Sequence, residues 1–191
     1  MIGETKMAKD LDKIVVVDVE STCWDSKPPD GEVSEIIEIG VAVLIVGDKI
    51  CEIEDNVGII VKPENSKISK YCTILTTLTQ SQVDKGVSFE RACELLKNFK
   101  TKKRVWASWG DYDRVQFYND CKLYNVNYPF GKTHINVKYL FTLVSSLDKE
   151  LSMSQALKSL GMDMKGTHHR GIDDAFNIAS ILGDLIVDIR R

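Results

Sequence analysis

A mixed α/β layer architecture is what this chain of 191 residues predicts, and three observations carry it. Ile14-Val15-Val16-Val17 is an unbroken β-branched run, the composition of a strand covered on both faces. Two more strand-like segments, Glu35 to Val46 and Ile50 to Lys62, follow at hairpin spacing around Gly47-Asp48-Lys49. Beyond Pro63 the apolar spacing becomes helical, and short strands alternate with helices. Three hairpin-linked antiparallel strands plus two parallel ones therefore form a five-stranded mixed sheet flanked by helices.

In chain order, residues 1–12 are polar and charged and read as a flexible tail. After the first strand, Pro28-Pro29-Asp30-Gly31 marks a loop that separates it from the second. Ser66 to Asp84 reads as short helical pieces. Ser88 is placed to cap a helix whose apolar stripe is Phe89, Ala92, Cys93, Leu95, Leu96 and Phe99. Arg104 to Trp109 reads as the fourth strand, broken by Gly110. Asp111 then caps a helix that runs to about Tyr124. His134 to Val137 is a fifth strand feeding a helix from Lys138 to Leu147. Ser152 starts the next helix, closed by Gly161, and the last runs from Gly171 to Ile189. Nothing divides residues 13–191, so they read as one domain.

Composition narrows the classes. A hydrophobic fraction of 43% and a charged fraction of 28% are those of a globular protein. A net charge of −3 and a pI near 5.7 disfavour tight binding to long duplex nucleic acid, while leaving room for short or single-stranded substrates. Five scattered cysteines with no CxxC pair argue against a zinc site or disulfide framework and suit a reducing, cytoplasmic compartment. No leader and no membrane-spanning run is evident.

Chemistry concentrates at the end of the first strand. Asp18 and Glu20 are two positions apart, so on a strand they point the same way. Two like charges at the end of a buried strand repel, and each is costly to desolvate. A divalent cation between them would resolve both problems. Further along stand Asp113, His169 and Asp174. Taken singly, each has an ordinary explanation: first-turn acids favoured by the helix dipole for Asp113, Asp173 and Asp174, and solvated loop histidines for His168 and His169. Trp106 reads as core, and the five basic residues between Lys97 and Arg104 as a solvated helix end.

Taken together and in order, these segments resemble the DEDDh subgroup of the DnaQ-like exonucleases. The resemblance is narrowest to the histone-mRNA 3′-exonuclease and KapD-like branch. It rests on Val17-Asp18-Val19-Glu20-Ser21-Thr22-Cys23, Glu35-Ile36-Ile37-Glu38-Ile39-Gly40 and Val61-Lys62-Pro63. Ile68-Ser69-Lys70-Tyr71-Cys72, Leu78-Thr79-Gln80 and Ser108-Trp109-Gly110-Asp111-Tyr112-Asp113 extend it. Asn136 to Phe141 and His169-Arg170-Gly171-Ile172-Asp173-Asp174 complete it. Thr77 departs from the pattern, which has a glycine there.

The resemblance implies an RNase H-like fold and a two-metal 3′–5′ exonuclease. Asp18, Glu20, Asp113, His169 and Asp174 are its active-site set, with Asp113 preferred over Asp111 and Asp174 over Asp173 by family spacing. Asp18 would bridge two Mg²⁺ or Mn²⁺ ions, Glu20 and Asp174 would complete the first, and Asp113 would hold the second through water. His169 would act as general base. Ser21, Thr22 and Cys23 would contact the terminal nucleotide, Ile39 or Trp109 would lie near its base, and Arg170 would lie beside the site. The expected partner is the 3′ end of single-stranded nucleic acid, RNA favoured over DNA, with no membrane and no obligate protein partner. The rival readings are a catalytically idle nucleic-acid-binding or regulatory module on the same fold, or a small-ester hydrolase using the same acids.

Overall fold

The computed structural model describes residues 12–47 and 49–190. Nearly all of the expected tail, and Asp48 of the expected turn, lie outside them. The five strands are β1 (Lys13–Ser21), β2 (Ile36–Val46), β3 (Cys51–Ile60), β4 (Val105–Ser108) and β5 (His134–Asn136). They form one sheet in the order β3-β2-β1-β4-β5. β1–β2 and β2–β3 pair antiparallel, and β1–β4 and β4–β5 pair parallel, the mixed sheet that the sequence predicts. β3 stops at Ile60 rather than Lys62, and Val61, whose N–H still donates to the carbonyl of Ile37, forms a parallel bridge with Val87.

The helices are α1 (Lys70–Thr76), α2 (Gln80–Val83), α3 (Phe89–Leu96), α4 (Tyr112–Leu123), α5 (Val137–Val144), α6 (Met153–Ser159) and α7 (Gly171–Ile189). Strand alternation sorts them into two layers. Ile14 and Val16 of β1 pack with Ala42 and Leu44 of β2 against α5, α6 and α7. Val15, Val17 and Val19 face the other way, onto α3 and α4. Asp18 and Glu20 share the parity of Ile14 and Val16, which aims them at the α7 side.

Sequence capping signals hold at Ser88 and Ser152, whose hydroxyls accept the N–H of Arg91 and Gln155. Asp111 occupies the cap position of α4, but its carboxylate pairs with Arg114 at 2.9 Å instead of capping the backbone. α5 begins at Val137 and ends at Val144, three residues short of Leu147, where Ser146 turns to a φ of +50°. Among the described residues, no helix is long and apolar enough to cross a membrane.

Thr77 has a structural meaning. It ends α1 in the left-handed region at φ +63°, with its N–H on the carbonyl of Thr73. A β-branched residue is strained there, whereas glycine adopts that backbone freely. Thr77→Gly is expected to stabilise the fold by about 1 kcal/mol, raising Tm by roughly 2–4 °C in a calorimetric scan. A lower Tm would show that the threonine side chain contributes more than its backbone costs.

Candidate active site

A cavity of about 540 Å³ opens at the carboxyl end of β1, the place where open α/β sheets bind ligands. Two features of the strands create it. β4 pairs with β1 only as far as Val16, so β1 carries its acids onward with β2 on one edge and no strand on the other. A register shift between Glu20 and Ser21 then bends the strand end, as bulges beside functional sites commonly do.

α7 delivers the third acid by close approach. A Cβ on Gly40 would lie 1.7 Å from the carbonyl oxygen of Gly171, and one on Gly171 would lie 2.9 Å from the amide nitrogen of Gly40. Gly40 is the cross-strand partner of Asp18. The first turn of α7 therefore rests directly on the backbone beside Asp18, which only two glycines permit. Glu38 fixes the same helix end. Its buried carboxylate accepts Arg170 Nε at 2.9 Å, Arg170 Nη2 at 3.0 Å and the free N–H of Gly171 at 3.0 Å. A carboxylate at a helix N-terminus gains from the unpaired N–H groups and the dipole.

The result is a convergence of Asp18, Glu20 and Asp174, with ligand oxygens all within 4.8 Å of one another. Burial raises the pKa of Asp18 well above the usual carboxylate range, and the charges of Asp113, Glu20, Asp174 and Glu38 raise it further. Glu20 is pushed up to about 8 by burial and then by Asp174, Glu38 and Asp113. Asp174 is also raised by burial, against the opposing effects of His168 and the N–H of His169. Asp113 lines the same cavity from the first turn of α4 and accepts the unpaired N–H of Val19 at 2.8 Å. Burial lifts it to about 7. Arg170, the nearby arginine, is already engaged by Glu38. Lys138, which also lines the cavity, pairs with Glu150 at 2.9 Å, and the remaining cluster of oxygen donors suits a hard divalent cation.

His169 lines the cavity at φ +63°, with its N–H on Asp174 Oδ2 at 2.9 Å. Its pKa is lowered by burial and then by the neighbouring charge of His168. The structure gives His168 a larger part than a solvated loop histidine. Its Nδ1 lies 3.1 Å from Asp174 Oδ2, and its ring stacks on His169 at 3.9 Å.

Of the expected substrate contacts, Ser21, Cys23 and Trp109 line the cavity. Three do not. Ile39 is fully buried in the α3–α4 core, because its parity on β2 turns it away from the acids. Thr22 is buried, donating to the carbonyl of Val33 and accepting the N–H of Glu35. Arg170 serves Glu38. Tyr112 and Lys138 also line the cavity and were not singled out by residue type. The signal for Tyr112 was its place directly before Asp113. Tyr112 and Ser21 share a hydroxyl–hydroxyl hydrogen bond.

Residues 15–182 match the RNase_T exonuclease family. Human 3′-5′ exoribonuclease 1 is 32% identical over 98% of this chain and 56% of its own length. The Drosophila melanogaster 3′-5′ exonuclease Snipper is 26% identical, over 92% of this chain and 69% of its own. The chain spans little more than half the length of its mammalian exoribonuclease 1 relatives. Among solved structures, the nuclease domain of 3′hExo, a DEDDh family member bound to rAMP, superposes with a TM-score of 0.83. It is 32% identical, with 93% of each chain covered. The nuclease of the histone mRNA stem-loop complex gives a TM-score of 0.82 at 32% identity, over 93% of this chain and 64% of its own. The RNase H-like fold and the narrower branch implied by the resemblance are both borne out. A family match across most of its length, on a sheet whose carboxyl end gathers these acids, shows that the chain belongs to the RNase_T exonuclease family.

Proposed function

We propose that this chain is a metal-dependent 3′–5′ exonuclease that releases nucleoside 5′-monophosphates from single-stranded RNA in preference to DNA. The observation that supports it best is the convergence of half-buried Asp18 with buried Glu20 and Asp174, with Asp113 and His169 on the same cavity. The exoribonuclease relatives and the rAMP-bound neighbour support the RNA preference.

Asp18, Glu20 and Asp174 would hold Mg²⁺ or Mn²⁺, with Asp113 completing the shell through water. Bound there, two divalent ions supply charge neutralisation at the scissile phosphate and a water made acidic enough to attack at neutral pH. The residues of this chain do the rest. His169, kept neutral by its lowered pKa, accepts the proton of the attacking water. The N–H of Val19 holds Asp113 in place, and Glu38 anchors the helix end that presents Asp174. Ser21, Cys23 and Trp109 form walls against which the terminal nucleotide would seat.

Incubation with Mg²⁺ or Mn²⁺ and matched 5′-labelled single-stranded RNA and DNA tests this. A 3′-shortening ladder with nucleoside monophosphates as product, faster on RNA, is the expected result. Binding without cleavage would make the chain an idle module. Hydrolysis of simple phosphate esters with no ladder would make it a small-ester hydrolase.

A further inference from the structure

α4 is a surface helix with its polarity reversed. Its buried side carries Asp113, Gln116 and Asp120 as well as Phe117 and Cys121. Gln116 donates to the carbonyl of Ser34 at 2.9 Å, and Asp120 accepts the N–H of Ile36 at 2.8 Å, so these polar groups are spent on β2 and its entry loop. Outward, where such a helix is ordinarily polar, stand Tyr112, Val115 and Tyr118, exposed by 56%, 50% and 54%. They recur every three residues and so form one stripe. The stripe begins in the cavity, which Tyr112 lines, and runs roughly 9 Å away from it along the helix. Its far end is pre-organised, since the ring of Tyr118 lies parallel to that of Tyr128, 4.1 Å apart at an interplanar angle of 10°. Arg114, ion-paired with Asp111, and exposed Lys122 lie on either side of Tyr118 in sequence.

We propose that this outward stripe of α4 is a stacking track for the nucleotides on the 5′ side of the scissile bond, with Tyr118 as its distal platform. The inference rests on the nuclease reading above. Flat aromatic faces interleaved with basic side chains suit a single strand without sequence preference, because every base presents a π-face and every linkage a phosphate. Continuity with the cavity selects this occupant: Tyr112 lines the cavity and begins the stripe, so a strand whose 3′ end lies among the acids has α4 as a continuous path outward. The track would make activity depend on strand length.

The test is steady-state hydrolysis of a dinucleotide and of a longer single-stranded RNA by the wild type, Tyr118→Ala, Tyr118→Phe and Val115→Glu. Tyr118→Ala is expected to raise KM for the long strand about tenfold, the value of one lost base stack, with kcat unchanged. Val115→Glu should act in the same direction. Tyr118→Phe, which keeps the ring, should retain wild-type KM. All variants should hydrolyse the dinucleotide normally, which also shows that they fold. An unchanged KM for the long strand in Tyr118→Ala overturns the track, and a simultaneous loss of self-association in sedimentation would assign the face to a second copy of the chain. Affinity for the long strand, read by fluorescence anisotropy in an Asp18→Asn background with and without Tyr118→Ala, separates this inference from the nuclease reading. If the wild type cleaves nothing, that reading falls, while a tenfold affinity loss in the double variant still supports the track and an equal affinity still overturns it.

Discussion

Asp18→Asn is expected to lower RNA hydrolysis by on the order of 10³-fold or more, since it removes the carboxylate on which metal-derived charge stabilisation of several kcal/mol depends. The same substitution should raise the thermal stability of the metal-free protein. The opposite signs follow from one cause. A carboxyl group whose pKa is higher in the folded than in the unfolded state binds protons more tightly when native. Its stability contribution is therefore greatest below the unfolded pKa and declines as pH rises toward the folded one. Glu20 at about 8, Asp113 at about 7, and raised Asp18 and Asp174 all act this way. The lowered imidazoles of His134 and His169 act oppositely, but only below their ordinary value of 6.5. Between about pH 6.5 and 8 the carboxylates thus dominate, and Tm of the metal-free protein should fall with rising pH. Mg²⁺ at a hundred times its dissociation constant should restore about 2.7 kcal/mol, a Tm gain of roughly 5–10 °C. Asp18→Asn should show a flatter pH dependence and little response to Mg²⁺. A calorimetric series in which metal-free Tm rises across this window, or in which the variant responds to Mg²⁺ as the wild type does, would contradict the cation assignment.

How much of this was legible in the sequence depends on whether the deciding physics was local. The β-branched run of β1 and its period of two fix both the strand and the common direction of Asp18 and Glu20. The apolar face of α7 gives that helix from Gly171 to Ile189. Family spacing alone prefers Asp113 to Asp111, and the fold supplies the physical difference: one reaches the N–H of Val19 across the end of β1, and the other pairs with Arg114 one turn along α4. Ile39 follows a local rule, since strand alternation turns it to the face of β2 opposite Glu38 and into the α3–α4 core. Glu38 and Arg170 were beyond local reasoning. Their pairing depends on where the N-terminus of α7 lands on β2, a contact across 132 positions set by the Gly40–Gly171 approach. Thr77 is intermediate, because a glycine in the family pattern marks a left-handed backbone that threonine still adopts here. The α4 stripe was hidden because its buried face is polar, so no apolar period pointed inward to reveal which side lay outside.

His169→Asn should lower kcat by about 10²- to 10⁴-fold, the usual worth of a positioned general base, while leaving Mg²⁺-dependent stabilisation in place. Asparagine is the informative replacement: the residue sits at φ +63°, where asparagine is tolerated and alanine adds backbone strain to the lost imidazole. The pH profile supplies an independent readout. A base must be neutral to accept a proton, so wild-type activity should fall on the acid side as His169 becomes protonated. Because burial and His168 lower its pKa, that fall should lie below pH 6.5. The residual activity of His169→Asn should lose this acid limb. His168 provides the contrast, since its ring is tied to Asp174 through Nδ1, whereas His169 meets the same carboxylate through its backbone N–H and keeps its ring for the water. His168→Asn should therefore keep the acid limb and shift the Mg²⁺ requirement, Asp174 having lost a hydrogen-bond partner. If His168→Asn abolishes the limb and His169→Asn retains it, the two histidines exchange roles. The stacking of their rings at 3.9 Å makes that exchange the nearest competing assignment.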